Sequence, residues 1–211
     1  LLWWRTKYKM ILTNQFNPLI FEETFDKYNY VIIDNFFKDY VCFFLCRRMQ
    51  LERNYEDIYA DYQNNNYGLD DSFTKDLAAE LESKYAFKFI RAWSNIYNNK
   101  GLGTGMHVDP EADITLNAWV TPDDSIIDNN KNGLILSKTF YDGSHNLGEP
   151  DEYYKLNPNE FIQIPYKFNR AIFFKSKMLH KTVGVNTHAG DLNKRVNYTM
   201  LFNENNQNKK L

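Results

Sequence analysis

The chain has 211 residues, enough for one sizeable hydrophobic core, and its length predicts a single domain over 1–211. Hydrophobic residues make up 43% of the chain and aromatic residues 17%, which indicates a globular protein with an aromatic-rich core. The 25 basic and 27 acidic side chains give a net charge of −2, which argues against a nucleic-acid partner and against an anionic membrane.

The first part of the chain, about 1–85, predicts a mixture of helices and strands. β-Branched residues predict a short strand at 31–33. Asp34 or Asn35 would then cap a helix that runs to about Gln50. The prediction is therefore a strand followed at once by a helix.

Two cysteines lie within that predicted helix. Cys42 and Cys46 are four residues apart and share one helix face, where small apolar side chains pack into a core. This spacing is poor geometry for a disulfide. The first 14 residues are too short and too charged for a signal peptide, and no uncharged apolar stretch of about 18 residues predicts a membrane span. We therefore expect reduced thiols in an intracellular, cytoplasmic protein without a membrane partner.

Two further segments complete the first part of the chain. The asparagine-rich tract 61–71 predicts a polar loop. The segment 71–85 predicts a helix, because Phe73, Leu77 and Leu81 recur at four-residue intervals and form one apolar stripe.

From about residue 86 the pattern changes to short strands separated by Asn, Asp, Gly and Pro. Eight strands at this close spacing predict a β-sandwich or a jelly-roll barrel over 86–204. The candidate strands are 87–97, 103–109, 113–120, 133–138, 160–166, 170–175, 179–185 and 195–203.

A histidine and an aspartate follow three closely spaced glycines near the end of the segment 103–109. On a strand, His107 and Asp109 would project to the same side of the sheet. An imidazole and a carboxylate suit a divalent metal, and a second imidazole would complete the two-histidine, one-carboxylate triad that leaves three positions open on Fe(II). Such a pair also arises by chance at a polar strand end, and the spacing alone leaves both explanations open.

Three histidines are candidates for the second imidazole. His145 and His188 lie in loop-like segments, where a solvated histidine is the ordinary case. His180 lies in a candidate strand that follows 170–175 and a tight turn, and a rolled sheet can bring that strand back beside the first pair. We therefore predict His180 as the third ligand.

The last candidate strand carries a basic residue. Arg195, Asn197 and Thr199 alternate along it and share a face. Arginine is the natural bidentate partner of a carboxylate, so Arg195 is a candidate for holding a carboxylate-bearing co-substrate over the metal. A solvated cation at a strand end is the alternative.

Several segments in this order resemble the Fe(II)- and 2-oxoglutarate-dependent dioxygenases, in particular their phytanoyl- and prolyl-hydroxylase-like members. The resemblance covers roughly residues 28–203. The segments that carry it are 94–109, 114–124, 132–137, 164–185 and 194–202.

The resemblance implies a mainly β fold with flanking helices, a cupin-like double-stranded β-helix or jelly roll. It implies that His107, Asp109 and His180 bind Fe(II) and form the catalytic centre. It also implies that Arg195 binds the distal carboxylate of 2-oxoglutarate. The implied reaction is hydroxylation of a small-molecule or peptidyl substrate by dioxygen, with release of succinate and CO2.

Three further polar residues are implied to contact 2-oxoglutarate. Tyr97 lies on the strand before the metal-ligand segment, and Asn117 faces the same way as the ligands. Asn197 stands where many relatives have a serine. Tyr97 and Asn117 could equally be polar groups that are satisfied within the core.

Two other functions fit the same barrel. A non-catalytic cupin-like module would hold a small molecule or a sugar, and any metal in it would be structural. A Zn(II)- or Mn(II)-dependent isomerase or hydrolase would use its metal to activate water. Metal-dependent succinate formation and affinity for 2-oxoglutarate distinguish the dioxygenase from both.

Overall fold

Two main antiparallel sheets and a layer of helices form the fold; the computed structural model describes residues 11–13, 17–51, 57–58, 62–67, 71–141 and 150–205. The helices are α1 (Pro18–Tyr28), α2 (Asp39–Leu51), α3 (Ser72–Lys84) and α4 (Pro150–Leu156). Short 3-10 turns lie at Asp123–Ser125, Pro158–Glu160 and Asp191–Asn193. The strands are β1 (Tyr30–Ile33), β2 (Asp57–Ile58), β3 (Tyr62–Tyr67), β4 (Phe87–Tyr97), β5 (Lys100–Gly101), β6 (Ile114–Trp119), β7 (Gly133–Phe140), β8 (Phe161–Pro165), β9 (Ala171–Lys175), β10 (Met178–Val183), β11 (Val185–Asn186) and β12 (Val196–Glu204).

The large sheet has the strand order β1-β9-β6-β12-β4-β3-β2, and its neighbouring strands are antiparallel. The small sheet has the order β10-β7-β8, also antiparallel. A separate two-stranded ladder joins β5 and β11. From β6 onward the chain passes back and forth between the two main sheets, as in a jelly roll. The first 85 residues contribute β1, β2 and β3 to the large sheet.

The helices α1, α2 and α3 cover one face of the large sheet. Side chains of β6 alternate between its two faces. Ile114, Leu116 and Ala118 pack on the helix side, in the same core as Leu45 of α2 and Leu77 of α3. Burial of a large aliphatic side chain contributes about 1.5–3 kcal/mol relative to its exposure, so this layer holds the centre of the large sheet firmly.

The other face of the large sheet meets the small sheet. Trp119 of β6 and Ile172 of β9 pack against Leu134 and Leu136 of β7. We call the face that each sheet turns toward the other its inner face. Alternation along β6 places Thr115 on the inner face with Trp119, so the space between the sheets is lined by polar and apolar side chains together.

Most of the predicted elements are confirmed. The strand at 31–33 is β1, and the helix that ends near Gln50 is α2. The helix over 71–85 is α3, where the side chain of its N-cap, Asp71, accepts a hydrogen bond from the Thr74 backbone N–H at 2.7 Å. Seven of the eight candidate strands are present as β4, β6, β7, β8, β9, β10 and β12.

The predicted cap of α2 is wrong. The helix begins at Asp39 and not directly after Asp34 or Asn35. The Phe37 backbone N–H donates to Asn169 Oδ1 at 2.8 Å, and Asn169 Nδ2 donates to the Phe37 carbonyl oxygen at 2.7 Å. These tertiary hydrogen bonds engage the main chain that a helix starting earlier would need.

The predicted loop at 61–71 is wrong for residues 62–67, which form β3. This strand pairs with β4 in an antiparallel ladder. Main-chain groups make the hydrogen bonds of a ladder, so a segment of low strand propensity can still pair with an available edge.

The candidate strand at 103–109 is also wrong. The structure has one isolated antiparallel bridge there, between His107 and His180 of β10. Gly103 has a φ of +82°, and a Cβ atom on it would lie 2.2 Å from the Thr182 carbonyl oxygen. At Gly103 the segment therefore lies closer to β10 than a paired strand would, and its positive φ is not an extended strand conformation. These two features prevent a regular ladder.

Cys42 and Cys46 are buried free thiols on the core-facing side of α2. Burial raises the pKa of Cys46 to about 11, so this thiol stays protonated at neutral pH. Within the part of the chain that the structure describes, no helix has the length and apolar character needed to cross a membrane.

We expect Gly103→Ala to lower the free energy of unfolding by about 2 kcal/mol or more, because alanine is strained at this φ and its methyl group would overlap the Thr182 carbonyl. Denaturant unfolding measures this loss. Gly105→Ala is the matched control, since a Cβ there meets no atom nearer than an Asp151 carboxylate oxygen at 3.5 Å. Equal stability of the two variants would contradict the close approach assigned to Gly103.

Candidate active site

His107 and His180 lie directly opposite each other in the isolated bridge. The His107 N–H donates to the His180 carbonyl oxygen at 3.0 Å, and the His180 N–H donates back at 2.8 Å. A pair that exchanges both hydrogen bonds places its two side chains on the same side of the ladder. The imidazole centroids are 4.3 Å apart.

Asp109 is held beside them by a second set of contacts. Its backbone N–H donates to the Ser176 carbonyl oxygen at 3.0 Å. Its Oδ2 accepts from the Thr115 hydroxyl at 2.7 Å, and that hydroxyl also bonds the Ser176 hydroxyl at 2.9 Å. Asp109 Oδ2 lies 3.6 Å from His180 Nε2, and Oδ1 lies 4.0 Å from His107 Nε2. The three side chains offer possible ligand atoms that all lie within 4.8 Å of one another.

Backbone carbonyl groups determine which ring nitrogen of each histidine is available. His107 Nδ1 lies 2.8 Å from the Gly105 carbonyl oxygen, and His180 Nδ1 lies 3.0 Å from the Met178 carbonyl oxygen. A carbonyl oxygen only accepts, so Nδ1 carries the proton of each neutral ring and Nε2 keeps its lone pair. Both Nε2 atoms are therefore in the state that binds a metal ion.

The two histidines differ in exposure. The His180 side chain is 7% exposed, whereas that of His107 is 44% exposed. Burial and the neighbouring His107 lower the pKa of His180 to about 4, and Asp109 opposes this shift. His180 is therefore neutral at pH 7, and the site opens to solvent on the side of His107.

Arg195 is fully buried at the other end of the inner face. The centroids of three rings surround its guanidinium carbon, Tyr97 at 5.5 Å, Trp119 at 5.3 Å and Tyr166 at 5.0 Å. Its Nη2 donates to the Gly133 carbonyl oxygen at 3.3 Å. Its Nη1 has no hydrogen-bond partner among the described residues. Burial lowers the pKa of Arg195, but a guanidinium keeps its charge in proteins, so this is a buried cation with an unused donor.

Asn197 and Tyr97 form the polar surroundings of this guanidinium. Asn197 Oδ1 accepts from Arg195 Nε at 3.2 Å, and Asn197 Nδ2 donates to the Tyr97 hydroxyl at 3.4 Å. The Tyr97 hydroxyl also bonds the Thr182 hydroxyl at 3.0 Å. Burial raises the pKa of Tyr97, so its hydroxyl is neutral. Both residues are therefore hydrogen-bonded into a network that orients Arg195.

Asn117 lies between the two ends of the site. Its Nδ2 donates to a threonine hydroxyl of β12 at 3.2 Å, and its Oδ1 has no partner in the described ranges. It stands midway between Thr115 and Trp119 on the inner face of β6. Thr115 contacts Asp109, and Trp119 contacts Arg195. Residues four apart on a strand are about 13 Å apart, which sets the scale of the site.

The structure brings three predicted residues together, His107, Asp109 and His180. The competing candidate His188 is exposed in a loop and lies outside this group. The other competitor, His145, lies outside the described residues.

Several residues that build the site are not among the site residues predicted from the sequence. Thr115 and Trp119 share the inner face with Asn117, so the alternation of β6 was a signal that could have found them. Ser176 lies in the turn between β9 and β10, and Tyr166 directly follows β8. Nothing in the local sequence distinguishes these two from ordinary turn residues.

The chain is similar in fold to several solved structures. One is the non-heme alpha-ketoglutarate-dependent carbocyclase SnoK from nogalamycin biosynthesis, at 11% identity over 90% of this chain and 83% of that one, with a TM-score of 0.63. Another is a prolyl-4-hydroxylase from Pseudomonas putida, at 10% identity, 88% and 98% coverage and a TM-score of 0.60. A third is HygX from Streptomyces hygroscopicus with nickel and 2-oxoglutarate bound, at 10% identity, 90% and 87% coverage and a TM-score of 0.57.

No protein-family model matches the chain, and no curated protein matches it. The structural similarity confirms the predicted fold, a mainly β double-stranded β-helix with flanking helices. At identities this low the likeness concerns the fold, and the activity has to be argued from the site itself.

We expect the metal-free protein to lose stability as the pH falls from about 6.5 to about 4. His180 takes up a proton near pH 6.5 in the unfolded chain, but only near pH 4 in the folded chain. Over this interval the unfolded state binds more protons, so the free energy of unfolding falls, by up to about 3 kcal/mol from this residue. Urea unfolding of chelator-treated protein at several pH values measures the change.

His180→Gln isolates this contribution, because it removes the buried titrating ring. The variant should depend on pH less steeply than wild type over the same interval. The exposed His188→Gln should follow wild type. Parallel curves for wild type and His180→Gln would contradict a buried neutral imidazole at this position.

Proposed function

We propose that the protein is an Fe(II)- and 2-oxoglutarate-dependent dioxygenase that hydroxylates a substrate C–H bond and releases succinate and CO2. One observation carries the proposal. A buried guanidinium with an unused donor, on Arg195, lies at one end of the inner face, and two imidazoles and a carboxylate lie at the other end. A cation and a metal-ligand triad separated in this way suit a co-substrate with an acid group at each end.

His107, Asp109 and His180 fit a divalent metal such as Fe(II). Two imidazole nitrogens and one carboxylate oxygen form the donor set of the facial triad, which leaves three positions for other ligands. The Nδ1 contacts of both histidines leave their Nε2 lone pairs free. The donor set is therefore ready without a change of tautomer.

Arg195 fits the distal carboxylate of a dicarboxylic 2-oxoacid. Removing a guanidinium from water costs several kcal/mol unless its donors are satisfied, and Nη1 of Arg195 is unused among the described residues. A carboxylate can accept from a guanidinium with two oxygens. The carboxyl carbons of 2-oxoglutarate are about 5 Å apart. One metal–oxygen bond and one charge-assisted hydrogen bond extend that length to roughly 10 Å. This length is comparable with the distance along β6 from Thr115 to Trp119.

When bound, Fe(II) and 2-oxoglutarate supply the activation of dioxygen, which protein side chains alone do not provide. The chain itself binds and orients the reactants. Thr115 and the Ser176 backbone hold Asp109 toward both histidines. Phe174 packs edge-on against the His180 ring, with centroids 4.7 Å apart, and excludes water from that side. The exposed side of His107 is where a substrate reaches the site.

The buried cation favours the dioxygenase over the two alternatives. A cupin-like module that binds a neutral sugar or another uncharged small molecule would leave this guanidinium unsatisfied in its core. A zinc or manganese hydrolase needs a metal-bound water, and Arg195 would then have no carboxylate to bind. The similar structure of HygX was determined with nickel and 2-oxoglutarate bound, which supports a divalent metal and 2-oxoglutarate as the ligands here.

Substrate class and location form the last part of the proposal. We propose a small-molecule or peptidyl substrate, because the fold is shared with SnoK and with a prolyl-4-hydroxylase. We also propose a cytoplasmic location. The unbridged thiols of Cys42 and Cys46 support it, since cysteines in oxidising compartments are commonly paired.

We expect purified protein to bind one Fe(II) and to convert 2-oxoglutarate to succinate in the presence of dioxygen. Asp109→Ala and His180→Ala should each weaken Fe(II) binding severely and abolish succinate formation, because each removes one of three ligands. Anaerobic Fe(II) titration and succinate detection are the measurements. His188→Ala is the control and should behave as wild type.

These measurements distinguish the dioxygenase from the cupin-like module and the hydrolase. Metal binding without 2-oxoglutarate binding or succinate would leave the cupin-like module or the hydrolase in place of the dioxygenase. Loss of Fe(II) binding in His188→Ala, with His180→Ala unaffected, would show that the wrong histidine had been assigned.

We expect Arg195→Met to keep Fe(II) affinity and to weaken 2-oxoglutarate binding about 30- to 1,000-fold. A charge-assisted pair in a largely dry pocket is worth about 2–4 kcal/mol by truncation. Methionine keeps most of the buried volume, and Arg195→Lys should recover part of the affinity because it keeps the charge but loses the planar fork. The affinities are measured by calorimetric titration of 2-oxoglutarate into metal-loaded wild type, Arg195→Met and Arg195→Lys. Unchanged affinity in Arg195→Met would remove Arg195 from the co-substrate site.

A further inference from the structure

His107 is the least enclosed of the three predicted metal ligands. Its side chain is 44% exposed, whereas His180 and Asp109 are buried. His180 belongs to β10, which pairs with β7, but His107 lies on a segment outside the regular strands. Two main-chain hydrogen bonds to His180 hold this segment on the side that faces β10. The position of His107 therefore also depends on what holds the other side of the segment.

Asp151 of α4 lies on that other side. Its Oδ2 accepts from the Met106 backbone N–H at 3.3 Å, and its Oδ1 accepts from Lys181 Nζ at 2.8 Å. Because His107 and His180 exchange both hydrogen bonds of the bridge, the N–H of the neighbouring Met106 points away from β10. Asp151 therefore bonds the free edge of the segment. Through Lys181 it also ties this edge to the residue next to His180.

Aromatic packing fixes α4 in this place, although the helix belongs to neither sheet. Tyr153 and Tyr154 of α4 pack on Phe161 of β8, with ring centroids 6.1 and 5.0 Å apart. The ammonium of Lys181 lies 4.7 Å from the centroid of the Tyr154 ring. The same ammonium holds the pKa of Asp151 below its usual value. The carboxylate is therefore charged at neutral pH and held at a fixed place.

We propose that Asp151 is a positioning residue for the metal centre; this inference rests on the proposed function. By holding the segment of His107 against β10, the carboxylate raises the affinity of the site for a divalent metal. It acts through the chain neighbours of the two histidines and not through the imidazoles. Without it the segment is held on one side only, and the metal has to order His107 as it binds, which costs conformational entropy.

Asp151→Asn tests the proposal, because the amide keeps the size of the side chain and removes its charge. Calorimetric titration of Co(II) into metal-free protein measures the affinity, since Co(II) takes the same imidazole and carboxylate ligands as Fe(II). The variant should bind Co(II) about 10-fold more weakly than wild type. An unchanged Co(II) affinity overturns the positioning role of Asp151 and leaves the proposed function intact. Absence of Co(II) binding in wild type overturns the proposed function itself.

Asp71→Asn is the matched control. Asp71 also accepts from a backbone N–H, that of Thr74, and from a cation, Arg48, but it lies at the start of α3 in the helix layer. Asparagine caps a helix as well as aspartate does, so this variant keeps the cap and loses the ion pair. Its Co(II) affinity should equal that of wild type. An equal loss of Co(II) affinity in both variants overturns the proposal, because general destabilisation would then explain it.

Amide hydrogen exchange tests the proposal without a metal. In metal-free Asp151→Asn, the His107 N–H should exchange about 10-fold faster than in wild type, because the segment separates from β10 more often. The Trp119 N–H, which donates to the Arg170 carbonyl oxygen within the large sheet, should keep its wild-type rate. A wild-type exchange rate at His107 overturns the proposal. Equally faster exchange at both amides also overturns it, because the loss of stability would then be global.

Discussion

The two backbone hydrogen bonds between His107 and His180 are the constraint on which the candidate site depends. The segment that carries His107 belongs to no regular strand, and Gly103 lets it approach β10 closely. A third main-chain bond, from Asp109 to Ser176, fixes the carboxylate beside the imidazoles. Because main-chain groups make these bonds, the three side chains converge before any ligand binds, and a metal would not have to order them.

Arg195 is the opposite case, a buried cation that the described residues leave partly unsatisfied. Three aromatic rings and two long hydrogen bonds accommodate its charge without satisfying Nη1 within the described chain. A protein selected for stability alone would gain by replacing such a cation with an apolar side chain of similar volume. Retaining it is the kind of cost that functional sites carry.

One strand connects these two features. Thr115 of β6 orients Asp109, and Trp119 of the same strand packs beside Arg195, with Asn117 between them. The strand lies in the interior of the large sheet, between β9 and β12, with the helices packed behind it. The distance between the two ends of the candidate site is therefore set by a rigid element, which suits the proposed co-substrate of fixed length.

The features that depend on local periodicity were predictable from the sequence. Strand-length runs between turn residues predicted eight strands, of which seven are present, and four-residue spacing predicted α3. The two-residue spacing of His107 and Asp109 marked them as a pair. Chain order and the resemblance to a known family selected His180. Long-range contacts pair residues 62–67 with β4 and hold 103–109 by one bridge. Long-range contacts also bring rings from β4, β6 and the end of β8 together around Arg195. These contacts join segments far apart in the chain, and no local pattern encodes which distant edge or ring a residue will meet.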